Sequence, residues 1–172
     1  CIHANCAIHR SSELVYSWPV TSPFAIIHVD VWQPGNVAAY DGSHYFLAAM
    51  CDLTGYAIIS ELDAVNSVTL ANAFMKHVLL RVGFCLLVAP DAGSAFRLHF
   101  ESMCDSLKLA HKPGLRHNHK SVSVERLFRY LNKALTIAAE QRLGDTKVSV
   151  EAVHVATYAW NASVIDGTNI IR

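Results

Sequence analysis

The stretch FCLLVAPDAGSAF, residues 84–96, decides the fold. Its first six residues are continuously apolar, the pattern of a strand buried on both faces rather than one alternating between core and water. Such a strand needs helices above and below it, which makes an α/β layer architecture the expectation. Pro90 ends the run and Asp91 follows at once. That puts a carboxylate at the carboxyl end of a central strand, where open α/β sheets bind their ligands.

Working upstream, residues 24–32 (FAIIHVDVW) are rich in Ile and Val and read as a strand that Gln33-Pro34-Gly35 ends. Residues 44–53 and 56–62 read as two further strands joined at Thr54-Gly55 as a hairpin. Between 67 and 82, Val68, Ala71, Met75, Val78, Leu79 and Val82 recur at helical spacing, and Gly83 supplies the stop. Downstream, residues 94–107 are expected as a helix and 109–111 as a short strand. After a polar stretch, Val124, Leu127, Phe128, Leu131, Leu135 and Ala138 mark the buried stripe of a strong helix. A last helix over 149–162 carries Val150, Val153, Tyr158 and Trp160. The order βββ-α-β-α-β-α-α predicts a mixed sheet with helices on both faces.

The chain has 172 residues, 52% of them hydrophobic, and a mean hydropathy of +0.26, which suits one globular domain. No apolar run approaches the roughly 18–20 residues that cross a bilayer, so no membrane partner is expected. The chain opens on Cys rather than Met without a leader, and a fragment of a longer polyprotein is the expectation. Its odd count of five cysteines, with Cys51 and Cys85 inside apolar runs, suits a reducing compartment. Net charge is zero, yet residues 108–133 hold seven Lys/Arg against the single acid Glu125. That segment is +6 and the remainder −6. A basic segment of this density can bind an anion, or can be a solvated helix face.

Asp30 lies inside an apolar strand, Asp91 follows the buried one, and Glu125 begins the basic helix beside its apolar stripe. Three carboxylates drawn together repel one another, and a divalent cation removes that penalty. Hard oxygen ligands with open positions suit Mg²⁺, and paired ions of this kind clamp the attacking and leaving oxygens of an in-line displacement. Each acid also has an ordinary role: Asp30 as a solvated strand-end acid, Asp91 as a helix cap, Glu125 as a partner of Arg129. Asp52, also at a strand end, competes for the site, and spacing alone does not separate it from the others.

Asp91-Ala-Gly-Ser-Ala-Phe96 matches the D-x-G-x-x-F signature of the catalytic core of retroviral and retrotransposon integrases. His117, eight residues before Glu125-Arg126, resembles that family's H-P-x-x-x-G-x-x-E-R segment, with Asn118 and Val122 where the pattern has Pro and Gly. Trp18-Pro19 to His28-Val-Asp30 resembles the lead-in to the first catalytic Asp, and Tyr158-Ala-Trp-Asn161 the closing helix. The composition is closer to long-terminal-repeat retrotransposons than to retroviruses. The resemblance implies the ribonuclease-H-like fold, here a five-stranded mixed sheet flanked by helices on both faces.

It also implies a triad of Asp30, Asp91 and Glu125 that is both catalytic and metal-binding, with Mg²⁺ or Mn²⁺. The activity implied is polynucleotidyl transfer: trimming of the element's DNA 3′ ends, then strand transfer into target DNA. His117, Lys120, Arg126, Arg129 and Lys133 would contact double-stranded DNA, while Gly93 gives a tight turn and Phe96 anchors the next helix. A homo-oligomer in the nucleus or in a cytoplasmic virus-like particle is implied as well. Residues 18–172 would form the core, and 1–17 the tail of an upstream module with a linker. Cys1 and Cys6 resemble the remnant of that module's zinc site. Their C-x₄-C spacing departs from its C-x-x-C and no His-His half accompanies them, so free thiols and no zinc are expected. Two other readings stay open: a ribonuclease-H-like nuclease, and a decayed or domesticated module that binds DNA without cutting it.

Overall fold

A computed structural model describes residues 22–34, 45–113, 121–141, 150–164 and 171–172. Side-chain alternation builds its sheet. In β1 (Ile26–Trp32), Ile27 and Val29 enter one apolar core while Trp32 enters a second on the opposite face. His28 and Asp30 share the Trp32 side, because successive strand residues point to opposite faces. β2 (Tyr45–Cys51) runs antiparallel to β1, with Asp30 opposite Ala48 and Trp32 opposite Phe46. β3 (Ala57–Leu62) pairs antiparallel with β2 at the edge. The expected hairpin turn forms there. Gly55 adopts φ +70°, a left-handed value that glycine reaches without steric cost, and its N–H donates to the Cys51 carbonyl.

β4 (Leu87–Pro90) returns parallel to β1, and β5 (Ala110–His111) parallel to β4, giving the order β3-β2-β1-β4-β5. The apolar run from residue 84 is not all strand, as the sequence suggested. Phe84 and Leu86 are exposed, and pairing starts at Leu87, where the N–H groups of Leu86 and Leu87 both reach the Ala25 carbonyl.

One core is roofed by α1 (Ser67–Phe74), a π-helical turn (Met75–Leu79), the short α2 (Leu80–Val82) and α3 (His99–Ser106). Asn66 caps α1 by accepting from the N–H groups of Val68 and Thr69. The wider π turn shifts the helical phase. Leu70 and Phe74 are therefore buried, while Val68, expected in the stripe, is exposed. The helix expected over 94–107 is interrupted: a 3₁₀ turn (Ser94–Phe96) precedes Leu98 at φ +57°. Ser67 ties this break to α1, its hydroxyl donating to the Arg97 carbonyl and accepting from the Phe100 N–H. Cys85 and Cys104 are buried in this core, and burial pushes their thiols up to about 11 and about 12. They act there as small hydrophobes, and Cys51, Cys85 and Cys104 are all free thiols.

The other core is roofed by α4 (Ser121–Gln141) and α5 (Val150–Asn161). Leu127, Leu131 and Leu135 are fully buried, as their spacing predicts. In α5 the buried residues are Val153, Ala156, Thr157 and Trp160, whereas Tyr158 is exposed, contrary to the expected stripe. Trp160 and Asn161 serve the hairpin instead. The Trp160 indole N–H donates to the Gly55 carbonyl at 2.9 Å. The Asn161 amide accepts from the Ala57 N–H and donates to the Ala57 carbonyl, both at 2.8 Å, standing in for a neighbouring strand at the sheet edge.

Asn161→Ala leaves both Ala57 groups without those partners. An expected cost of about 2–3 kcal/mol would lower the thermal midpoint by roughly 5–10 °C in a domain of this size. A midpoint within about 1 °C of the parent would mean that water replaces the amide. Among the described residues no helix is long and apolar enough to cross a membrane.

Candidate active site

The parallel register of β1 and β4 brings two of the expected acids together. Val29 pairs with Pro90, and the Asp91 N–H donates to the Val29 carbonyl at 2.9 Å. Continuing that register by one residue sets Asp30 beside Asp91, on the same face and at the carboxyl ends of two adjacent parallel strands. Both are half-buried. Asp30 bends one oxygen back onto the N–H of Val31 at 2.7 Å.

The third acid arrives on α4. Trp32, two residues beyond Asp30 on the same face, stacks on Phe128 with ring centroids 6.0 Å apart and planes 14° from parallel. Glu125 precedes Phe128 by three residues, which puts the two on one side of the helix. The Glu125 side chain is exposed on that first stretch of helix. Among the described residues no three His, Cys, Asp or Glu side chains are gathered closely enough to hold one metal ion. The donor chemistry suits a hard divalent cation at the aspartate pair, with Glu125 carried toward it by α4 but not joined to it.

Asp52 has a different position. It lies just past the end of β2, beside the start of β1, where its N–H donates to the Ile26 carbonyl. Its side chain is only 3% exposed and accepts from His28 Nε2 at 2.9 Å. Spacing gave no means of separating Asp52 from the other acids. The antiparallel return of β2 does so, because it carries Asp52 to the opposite end of β1 from Asp91.

Of the residues expected to contact DNA, Arg129 and Lys133 are exposed on α4. Arg126 is exposed as a residue and lines a cleft with His28 and Asp52. His117 and Lys120 lie outside the described residues, as do Cys1 and Cys6 and the whole of 1–17. Phe96 is buried and packs edge-on against Phe100 at 5.2 Å, anchoring the start of α3. Gly93 opens a tight turn, its carbonyl accepting from the Phe96 N–H at 3.1 Å, but the turn does not require glycine there. Its φ of −61° and ψ of 143° are open to any residue, and an added Cβ would meet only the Phe96 ring at 4.0 Å. The docking roles of Trp160 and Asn161 were not read from composition or spacing. Two polar-capable residues at the end of an apolar helix were the available signal.

No family model matches the chain. A 95-residue stretch is 27% identical to the retrovirus-related Pol polyprotein from transposon 412 of Drosophila melanogaster, spanning 54% of this chain and 8% of that polyprotein. Among solved structures, the catalytic core domain of BIV integrase aligns with a TM-score of 0.61 at 17% identity, over 86% of this chain and 88% of that one. The HTLV-2 integrase catalytic core domain in complex with magnesium aligns at 0.64 and 18% identity, over 86% and 92%. A chain of the simian T-cell lymphotropic virus intasome, solved with a PP2A regulatory subunit, aligns at 0.69 and 19%, over 84% and 51%.

Proposed function

We propose that this chain, which has the ribonuclease-H-like fold of retroviral integrase catalytic cores, is the catalytic core of a retrotransposon integrase. The observation that carries the proposal is the parallel register of β1 and β4, which ends with Val29 opposite Pro90 and, extended by one residue, sets Asp30 level with Asp91 on the face covered by the helix that bears Glu125. The magnesium in the HTLV-2 core supports the same donor chemistry here.

In this reading Asp30, Asp91 and Glu125 would hold the divalent ion. Bound there, the ion would supply charge stabilisation at the reacting phosphate and a more acidic attacking oxygen. The protein positions the strand, and Arg129 and Lys133 contact its phosphates in a sequence-independent, salt-sensitive manner. In end trimming, water attacks phosphorus, the P–O3′ bond breaks, and a 3′-hydroxyl is released. In strand transfer that hydroxyl attacks a target phosphodiester, forming a new P–O3′ bond as the target's own 3′-oxygen leaves. No oxidant or external energy source is needed, since each step exchanges one phosphoester bond or hydrolyses it.

The experiment is a strand-transfer assay with Mg²⁺, a pre-cut duplex resembling an element end, and a supercoiled target. Joined products are expected. Cleavage without joining would assign the chain to nucleases, and salt-sensitive binding with neither product would assign it to non-catalytic DNA-binding modules.

A further inference from the structure

Asp52 is a carboxylate buried almost completely at the surface end of a β-hairpin. A buried carboxylate is costly unless charge and hydrogen bonds compensate it. His28 takes one of its oxygens, Oδ1, at 2.9 Å. The same carboxylate lines a cleft of about 190 Å³ whose walls also hold His28, Gly55, Arg126 and Arg172. Arg172 is already committed. Its guanidinium lies 4.2 Å over the Trp160 ring and donates to the Val164 carbonyl and to Ser163. Arg126 reaches the cleft from the first turns of α4, directly after Glu125 in sequence.

We infer that Arg126 is a positioning residue for the catalytic helix: its guanidinium docks on the buried Asp52–His28 pair and thereby fixes the bearing of Glu125 toward Asp30 and Asp91. The inference rests on the integrase-core reading for the role of Glu125, but the docking itself does not. A planar guanidinium with five donors matches a carboxylate, whose two oxygens can accept from an imidazole and a guanidinium together. The chemistry also speaks against Arg126 as a phosphate contact. A DNA phosphate drawn to it would have to approach the Asp52 carboxylate, and like charges repel.

The position on the helix completes the argument. Successive residues of an α-helix are about 100° apart around its axis. Glu125 is therefore held between Arg126 on one flank and Phe128, stacked on Trp32, on the other. The buried Leu127, Leu131 and Leu135 set the overall bearing of α4, and the Arg126 contact restrains its first turns, where Glu125 stands. Asp52, which rivals Asp30 and Asp91 in sequence, serves the site in this account from the far end of the strand.

The test uses Arg126→Gln, Arg126→Lys, Asp52→Asn and the Arg126→Gln/Asp52→Asn pair in the full chain, with circular dichroism to verify folding. Hydrogen exchange of backbone amides in residues 124–128 is the first readout and needs neither metal nor DNA. Each Gln or Asn variant is expected to raise exchange there by about tenfold, with the double variant no worse than either single one. Arg126→Lys should recover part of the protection, since it keeps the charge but loses the planar fork. Strand transfer is the second readout, with kcat expected to fall about tenfold and the DNA KM unchanged. Should Asp52→Asn fail to fold, Arg126→Gln, on an exposed helix position, decides alone. Unchanged exchange in Arg126→Gln, with a raised DNA KM and a shallower salt dependence, would overturn the inference and make Arg126 a phosphate contact. Additive effects in the double variant would overturn it too. If the parent chain transfers no strands while the exchange pattern still holds, the docking stands and it is the integrase reading that fails.

Discussion

Asp91→Asn is expected to lower strand transfer by at least about a thousand-fold while moving the thermal midpoint by no more than ~2 °C. Asp91 is half-buried at a strand end, and its backbone N–H, which pairs with the Val29 carbonyl, is unaffected by the change. Asparagine keeps the size and an oxygen of the side chain but removes the charge. The neighbouring Asp30 would then face less repulsion in the absence of metal, so stability should hold or rise slightly. Asp30→Asn should behave alike, and calorimetric titration with Mn²⁺ should register weaker binding in both. The comparison with Asp52→Asn is the decisive one, because that substitution is expected to lower strand transfer by only about tenfold, far less than the loss of a metal ligand. A substantially active Asp91→Asn beside an inert Asp52→Asn would place the metal at the wrong end of β1 and sink the assignment.

The largest effect on stability is expected at Trp32. The side chain is 3% exposed, stacks on Phe128, and leans against Phe46 with ring centroids 5.5 Å apart. Trp32→Ala removes most of that contact from a core that cannot collapse onto the space. A loss of about 3–5 kcal/mol is expected, or roughly 10 °C in thermal midpoint. The indole N–H, in contrast, is buried with no hydrogen-bond partner among the described residues. Trp32→Phe therefore forfeits no hydrogen bond and relieves an unpaired donor, so it should cost less than about 1.5 kcal/mol. Because Trp32 is the seat of Phe128, the alanine variant should also lose strand transfer at temperatures where it is still folded, and the phenylalanine variant should keep it. Equal losses in the two variants would mean that the indole N–H has a partner in the working complex.

The sequence by itself determined the architecture. Continuous apolarity before Asp91, alternation around Asp30 and the heptad-like stripe from Leu127 to Leu135 are local periodicities, and each dictates which face of an element must leave water. They gave the five strands and the principal helices in order, whereas the pairing of the first strand with the fourth is a fact of the tertiary structure. Local pattern was less able to fix where elements begin or break. The exposed Phe84 and Leu86, the π turn after Phe74 and the turn at Leu98 depend on what packs against them, and a one-dimensional apolarity profile does not contain that.

The acids show the same division. Asp30, Asp91 and Glu125 were legible as a set only through their motif, since a carboxylate at a strand end looks alike wherever the strand goes. Tertiary structure separated them: parallel pairing put Asp91 beside Asp30, and the antiparallel return of β2 carried Asp52 to the opposite end, against His28. It also turned Trp160 and Asn161 onto the hairpin edge and set Arg126 in the Asp52 cleft. Which side chains must be buried is written in the spacing of apolar residues. Which charges meet is written mostly in strand direction and helix bearing, because partners such as His28 and Asp52, or Glu61 and His154, come from positions 24 and 93 residues apart.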